Sequence, residues 1–279
     1  MAPYRAEMSS AAHATISDAP AVAPWLVLVH GFSQDRRVFS GQIDAFRDRY
    51  RLLLIDLPAH GGSSAMVGPY GHAEFADAVR DTIDAVIGSA TPCIFWGTHT
   101  GAAIALLLAS HDAARFSALV LEGAVLPGRP MASVTDAFTR VQRIAVDEGI
   151  EAARREWFDK PEWFAVMRER PIECRAEAHR AMIGDFAGRP WFEHGAPAPV
   201  EVSDAMLGTL DLPVLLYNGV HDVADFISAA DHLEQLLPHA ERRVIANAGG
   251  FPGWEFPYQV NALVAEFLDR AGPVMRTQG

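Results

Sequence analysis

The chain has 279 residues, long enough for one large domain or one domain with an insertion, and half of them are hydrophobic. Its formal net charge of −12 at pH 7 argues against nucleic acid or an anionic membrane surface as a partner, since both attract basic patches. The two cysteines, Cys93 and Cys174, form no CxxC or metal-ligand cluster, so no disulfide framework is expected and a reducing cytoplasm is the expected setting.

Residues 1–24 are rich in Ala, Ser and Pro, lack the apolar stretch of a secretion signal, and read as loosely ordered. Trp25–Val29 is a short, wholly apolar run ahead of His30-Gly31, the pattern of a buried strand. Helical spacing follows over 38–46. A second apolar run over 51–57 stops at Pro58-Ala59-His60-Gly61-Gly62. His72–Ile87 is amphipathic, with Phe75, Val79, Ile83 and Val86 on one face. A strand over 93–96 comes next, with Cys93 as a core residue, and runs into Gly97-Thr98-His99-Thr100-Gly101 and a helix rich in small residues. A strand over 117–121 closes on Glu122. Residues 127–208 carry no strand pattern but hold several helical segments and the aromatics Phe138, Trp157, Phe158, Trp163, Phe164, Phe186, Trp191 and Phe192. Strands over 212–217 and 242–245 and helices over 229–236 and 257–268 complete the chain. No apolar run reaches the length of a membrane span. Strands alternating with helices imply an α/β fold with a doubly wound, mostly parallel sheet.

Four features in order resemble the α/β-hydrolase family in its capped, esterase- and lactonase-like group. They are His30-Gly31-Phe32 after the first buried strand, Asp56-Leu57-Pro58-Ala59-His60-Gly61-Gly62-Ser63, the turn Gly97-x-x-x-Gly101, and Gly219-Val220-His221-Asp222. The resemblance covers roughly residues 25 to 268. It implies a core formed by 1–126 and 209–279, with a helical cap over 127–208 inserted after the sixth family strand. It also implies a nucleophile at the centre of the turn, an acid at Asp222 and a histidine after the last strand. This sequence departs from that pattern twice. The centre is His99, and Gly250 stands where the histidine belongs, in Gly249-Gly250-Phe251-Pro252-Gly253-Trp254-Glu255.

A serine acyl-enzyme is therefore not expected. His99 is longer than serine, and Gly250 vacates the usual imidazole position. The expectation is that His99 reaches into that space and pairs with Asp222, which would orient the ring and raise its basicity. Glu122 is the second acid candidate. The family's oxyanion hole falls on the backbone N–H groups of Phe32 and Thr100. His30, Trp96, Thr98, Trp157, Trp163, Gly250 and Phe251 are the candidate substrate-binding residues; for His30, as for His60, holding its own loop is the competing role. The expected ligand is a small, apolar or aromatic carbonyl compound, with no cofactor or metal, and a homodimer stays open. Histidine-based acid–base chemistry (hydrolase, lyase or cofactor-free oxygenase) stands against two alternatives: a degenerate scaffold that binds a ligand or partner, and a variant made to trap a substrate.

Overall fold

The apolar runs assemble into a seven-stranded sheet in the order β1-β3-β2-β4-β5-β6-β7. A computed structural model describes residues 11–16, 22–193 and 195–275; most of the N-terminal stretch expected to be loose lies outside the described residues. The strands are β1 (Ala14–Ile16), β2 (Trp25–Val29), β3 (Arg51–Ile55), β4 (Cys93–Thr98), β5 (Phe116–Glu122), β6 (Val214–Gly219) and β7 (Ala240–Ile245). Strands β2 to β7 are parallel, and β1 lies antiparallel along the edge of β3. The helices are α1 (Ser40–Phe46), α2 (His72–Ile87), α3 (Thr100–His111), α4 (Ala132–Glu148), α5 (Ile150–Asp159), α6 (Ala165–Glu169), α7 (Ala176–Asp185), α8 (Arg189–Phe192), α9 (Asp204–Leu207), α10 (Ala224–Leu236), α11 (Pro252–Glu255) and α12 (Pro257–Met275).

The central strands β2 to β6 are buried almost throughout because both faces of the sheet are covered. Leu26, Leu28, Ile94, Trp96 and Val120 point into one apolar cluster, while Val27, Val29, Phe95, Leu119 and Leu121 point into the other. This is the period-two alternation of a pleated strand. The first cluster also takes in Trp157, Trp163, Phe164 and Trp191 of the α4–α9 segment. That segment lies between β5 and β6 and is helical throughout its regular elements. Among the described residues no helix is long and apolar enough to cross a membrane.

The second apolar run and an edge strand are among the elements that differ from expectation. The second apolar run ends as a strand at Ile55, because Asp56 turns away: its N–H donates to His13 O at 2.9 Å and its carboxylate accepts from Arg36 N at 2.8 Å and Gly62 N at 2.9 Å. Strand β1 was not expected; it is three residues long, pairs among the described residues with β3 alone, and carries no distinguishing pattern.

Chain order reverses around β2. From β2 the chain moves out to β3, then returns to place β4 on the other side of β2. Loops leaving neighbouring strands in opposite directions leave a crevice at the strands' C-terminal ends. The two loops at this crevice are His30-Gly31-Phe32 and the turn centred on His99.

Candidate active site

The turn is sterically dictated. His99 adopts φ 48° and ψ −105° between β4 and α3, a strained region for a residue with a Cβ. Gly97 and Gly101 make it possible. A Cβ on Gly97 would overlap the Gly101 backbone, and one on Gly101 would overlap the Val29 carbonyl. The His99 N–H donates to Glu122 O at 2.8 Å, which ties the turn to β5. Helix α3, apolar from Gly101 to Ala109, then buries Ala102, Ile104 and Ala105.

His99 projects from this turn into a cavity of about 730 Å³. Its ring lies 4.9 Å from that of Phe226 and 4.7 Å from that of Phe251, and the residue is only 7% exposed. Gly123, at φ 54°, gives it room, since a Cβ there would stand 2.6 Å from Nε2. Neither ring nitrogen has a hydrogen-bond partner among the described residues. Burial pushes the imidazole down to about 4; the Gly250 backbone opposes this from outside hydrogen-bond geometry. The ring is thus neutral at pH 7, with one nitrogen free to accept and the other to donate.

Phe32 and Thr100 line the same cavity, and neither backbone N–H is taken by a hydrogen bond among the described residues. Trp157, Trp163, Phe138 and Met131 form apolar wall. Trp157 is fixed by its Nε1–H donating to Ser33 Oγ at 2.7 Å. Polar wall comes from Thr135, Gln142, His72, Arg129 and Glu193. Arg129 is ion-paired with Asp204, and Glu193 accepts from Tyr70 Oη and Arg189, each at 2.9 Å.

The two acids lie elsewhere. Asp222 accepts from Asn218 Nδ2 at 2.7 Å and from Val223 N at 2.8 Å. It faces a second cavity of about 760 Å³ beside His221, Lys160 and Arg140. Glu122 accepts from Gly253 N at 2.7 Å. It sits in a small nook with Trp96, Thr98 and Tyr217, where the Trp96 Nε1–H donates to Tyr217 Oη at 2.9 Å. Burial pushes both carboxyls up to about 7. Among the described residues, no group of three or more His, Cys, Asp or Glu side chains could hold a metal ion.

The alpha/beta hydrolase family model matches residues 26–268. The chain belongs to the alpha/beta hydrolase family. It is 30% identical over 259 residues to a 2-succinyl-6-hydroxy-2,4-cyclohexadiene-1-carboxylate synthase of Enterobacter sp. (strain 638), spanning 88% of this chain and 92% of that protein. It is 23% identical over 263 residues to a pimeloyl-[acyl-carrier protein] methyl ester esterase of Nitrosospira multiformis, spanning 88% and 94%. Among solved structures, MenH from S. aureus superposes with a TM-score of 0.77 at 21% identity, covering 93% of this chain and 99% of that one. The fold is thus the alpha/beta hydrolase fold, and the curated relatives are enzymes.

Against the pattern of that family, several expected residues change place. The His99–Asp222 hydrogen bond is not formed. The space beside Gly250 is filled by the helical segment, not by His99: Gly250 N donates to Trp163 O at 3.3 Å, and a Cβ on Gly250 would stand 2.7 Å from that oxygen and 2.8 Å from the Trp163 Cβ. Gly250 therefore lines neither cavity. His30 leaves the ligand-binding set, because Nδ1 bonds Gly31 O at 2.7 Å and Nε2 accepts from Leu57 N at 3.0 Å; the loop-holding role is the one observed. His60 does the same with Pro58 O and Ser33 N. Trp96 and Thr98 lie in the nook beneath the turn, outside the main cavity, and the Thr98 hydroxyl has no partner there among the described residues. Phe32, His99, Thr100, Trp157, Trp163 and Phe251 remain together around the cavity. The sequence reading missed Tyr70, His72, Val125, Arg129 and Phe226, which lie in loops or at helix starts, where no periodic signal marks them. Val134 and Phe138, four residues apart on one face of α4, were findable from that spacing.

Proposed function

We propose that this chain is an enzyme acting on a small, apolar or aromatic carbonyl compound by proton transfer through neutral His99, without a serine acyl-enzyme or a cofactor. One observation carries this reading: an unpaired, buried imidazole on a strained turn, opening into an aromatic-walled cavity beside two unpaired amides. The free ring nitrogen takes a proton from the carbon next to the carbonyl. The C–H electron pair shifts to make the enolate, and the oxyanion is held by the Phe32 and Thr100 N–H groups. Reprotonation, or loss of a leaving group, completes the turnover. An imidazole with so low a pKa is a modest base. The nearby oxyanion offsets this by favouring the imidazolium as it forms. Under this reading the α4–α9 segment acts as the cap that closes the cavity. The synthase relative supports it, since its name describes formation of a cyclohexadiene carboxylate and not ester cleavage.

The first test is solvent deuterium exchange at the α-carbon of a panel of aromatic ketones and lactones, followed by proton NMR. It reports the first step whatever reaction follows. Enzyme-dependent exchange that is lost in His99→Ala supports the proposal. Exchange that persists in His99→Ala removes His99 from the chemistry. A second reading, a scaffold that binds without turnover, is favoured by the missing acid partner of His99. It predicts that panel members raise the melting temperature without exchanging.

A further inference from the structure

We infer that Trp163 is a positioning residue: its indole stands as a wedge between the two cavities, holding His99 apart from Asp222, while its backbone fills the space a triad histidine would otherwise take. Trp163 lines both the cavity that receives His99 and the one that receives Asp222. Its backbone oxygen is bound by Gly250 N, and its Cα, Cβ and oxygen occupy the volume that any side chain at 250 would need. The indole is locked by Trp157 at 5.5 Å and Phe226 at 6.2 Å between ring centres, and Phe226 is also a ring neighbour of His99. The wedge thus reaches the imidazole through a single packed ring.

This arrangement has an electrostatic consequence. Asp222 contributes nothing to the state of His99, which burial sets against a smaller opposing effect of the Gly250 backbone. Most other titratable groups near His99 are already engaged. Glu122 accepts from Gly253 N, Glu255 from Gly249 N, and Asp225 from Ser133 N. His179, across Phe251, bonds Gln34 and is itself held neutral by burial, pushed down to about 3. His72, Arg129 and Glu193 lie on the wall of the same cavity. Asp222 is therefore the carboxylate that removal of the wedge would bring into play.

The proposal stands whether or not His99 is catalytic, and its readout is the His99 ring itself, followed by NMR in the full chain. In the wild type and in Asp222→Asn, His99 should show no titration between about pH 5 and 8. In Trp163→Ala it should acquire a midpoint inside that range, a rise of more than one unit. In Trp163→Ala/Asp222→Asn most of that rise should disappear. Trp163→Leu, which keeps apolar volume in the wall, guards against loss of folding and should give a smaller rise in the same direction. A wild-type His99 that responds to Asp222→Asn shows that no wedge insulates it. An unchanged ring in both Trp163 variants overturns the proposal. So does an equal rise with and without Asp222, which would make the effect one of water entry alone.

Discussion

At position 99 the energetic conflict is local. A buried imidazole with two unpaired nitrogens leaves polar groups desolvated, each costing about 1–3 kcal/mol. His99→Leu, close to it in volume, removes that cost while keeping contacts to Phe226 and Phe251. Chemical denaturation should show the variant more stable by about 1 kcal/mol, with α-carbon exchange abolished. Gain of stability with loss of function would mark a residue retained for chemistry; a loss of stability would mean that the ring is a packing element. The low pKa also fixes the pH profile. His99 is in its basic form well above about 4, so exchange that depends on it should be flat from about pH 5 to 8. An inflection near the ordinary histidine value of about 6.5 would assign the base to another group. The identity of His99 was legible from the sequence, because glycines at 97 and 101 mark the turn whatever stands between them. Its missing acid partner was not legible: the approach of Trp163 to Gly250 joins residues 87 positions apart and leaves no local pattern.

The elements themselves were the most readable part. Trp25–Val29 and His72–Ile87 form over the spans their patterns mark, because continuous apolarity and a one-sided stripe are each satisfied by a single geometry. Strands β4 and β5 extend past their apolar stretches through Thr98 and Glu122, where hydrogen bonding to a neighbouring strand overrides residue polarity. The crossing of β4 into α3 is the least tolerant junction. Gly101→Ala places a Cβ against the Val29 carbonyl, an overlap with backbone that no rotamer relieves. It should therefore lower stability by more than about 4 kcal/mol, an exceptional cost for one methyl group. Soluble expression with an unchanged melting curve would show that the turn is softer than its contacts imply. The helical insertion is equally bound to its surroundings. Its aromatics share one apolar cluster with strand residues, so α4 and α5 amides should exchange only through global unfolding. Fast, independent exchange there would make the insertion a separate cooperative unit.

Across the molecule, buried ionisable groups of opposite kind set the pH range of stability. Burial pushes Glu122 and Asp222 up to about 7 and Glu255 up to about 8. These carboxyls hold protons in the folded chain that the unfolded chain releases, so their contribution fades as pH rises through those values. Burial pushes His99 down to about 4 and His60 and His179 down to about 3. These rings stay neutral when folded, so their contribution is lost as pH falls below the unfolded histidine value. His30 and His72 are pushed down in the same direction, so the two slopes oppose each other below the unfolded histidine value and the carboxyl slope prevails above it. Urea unfolding should place maximal stability near about pH 6.5, with a fall of about 2 kcal/mol by pH 8. A maximum at pH 8 would contradict the buried, protonated carboxyls.

The contact between Gly250 and Trp163 also limits which changes the site can accept. A histidine placed at 250 meets the backbone and Cβ of Trp163, and a serine placed at 99 finds no imidazole to activate it. Each change towards a serine triad is disadvantageous without the others. The contact thus works as a ratchet: single substitutions can refine the histidine site, but a serine triad requires changes at 99 and 250 together with a shift of the backbone at 163.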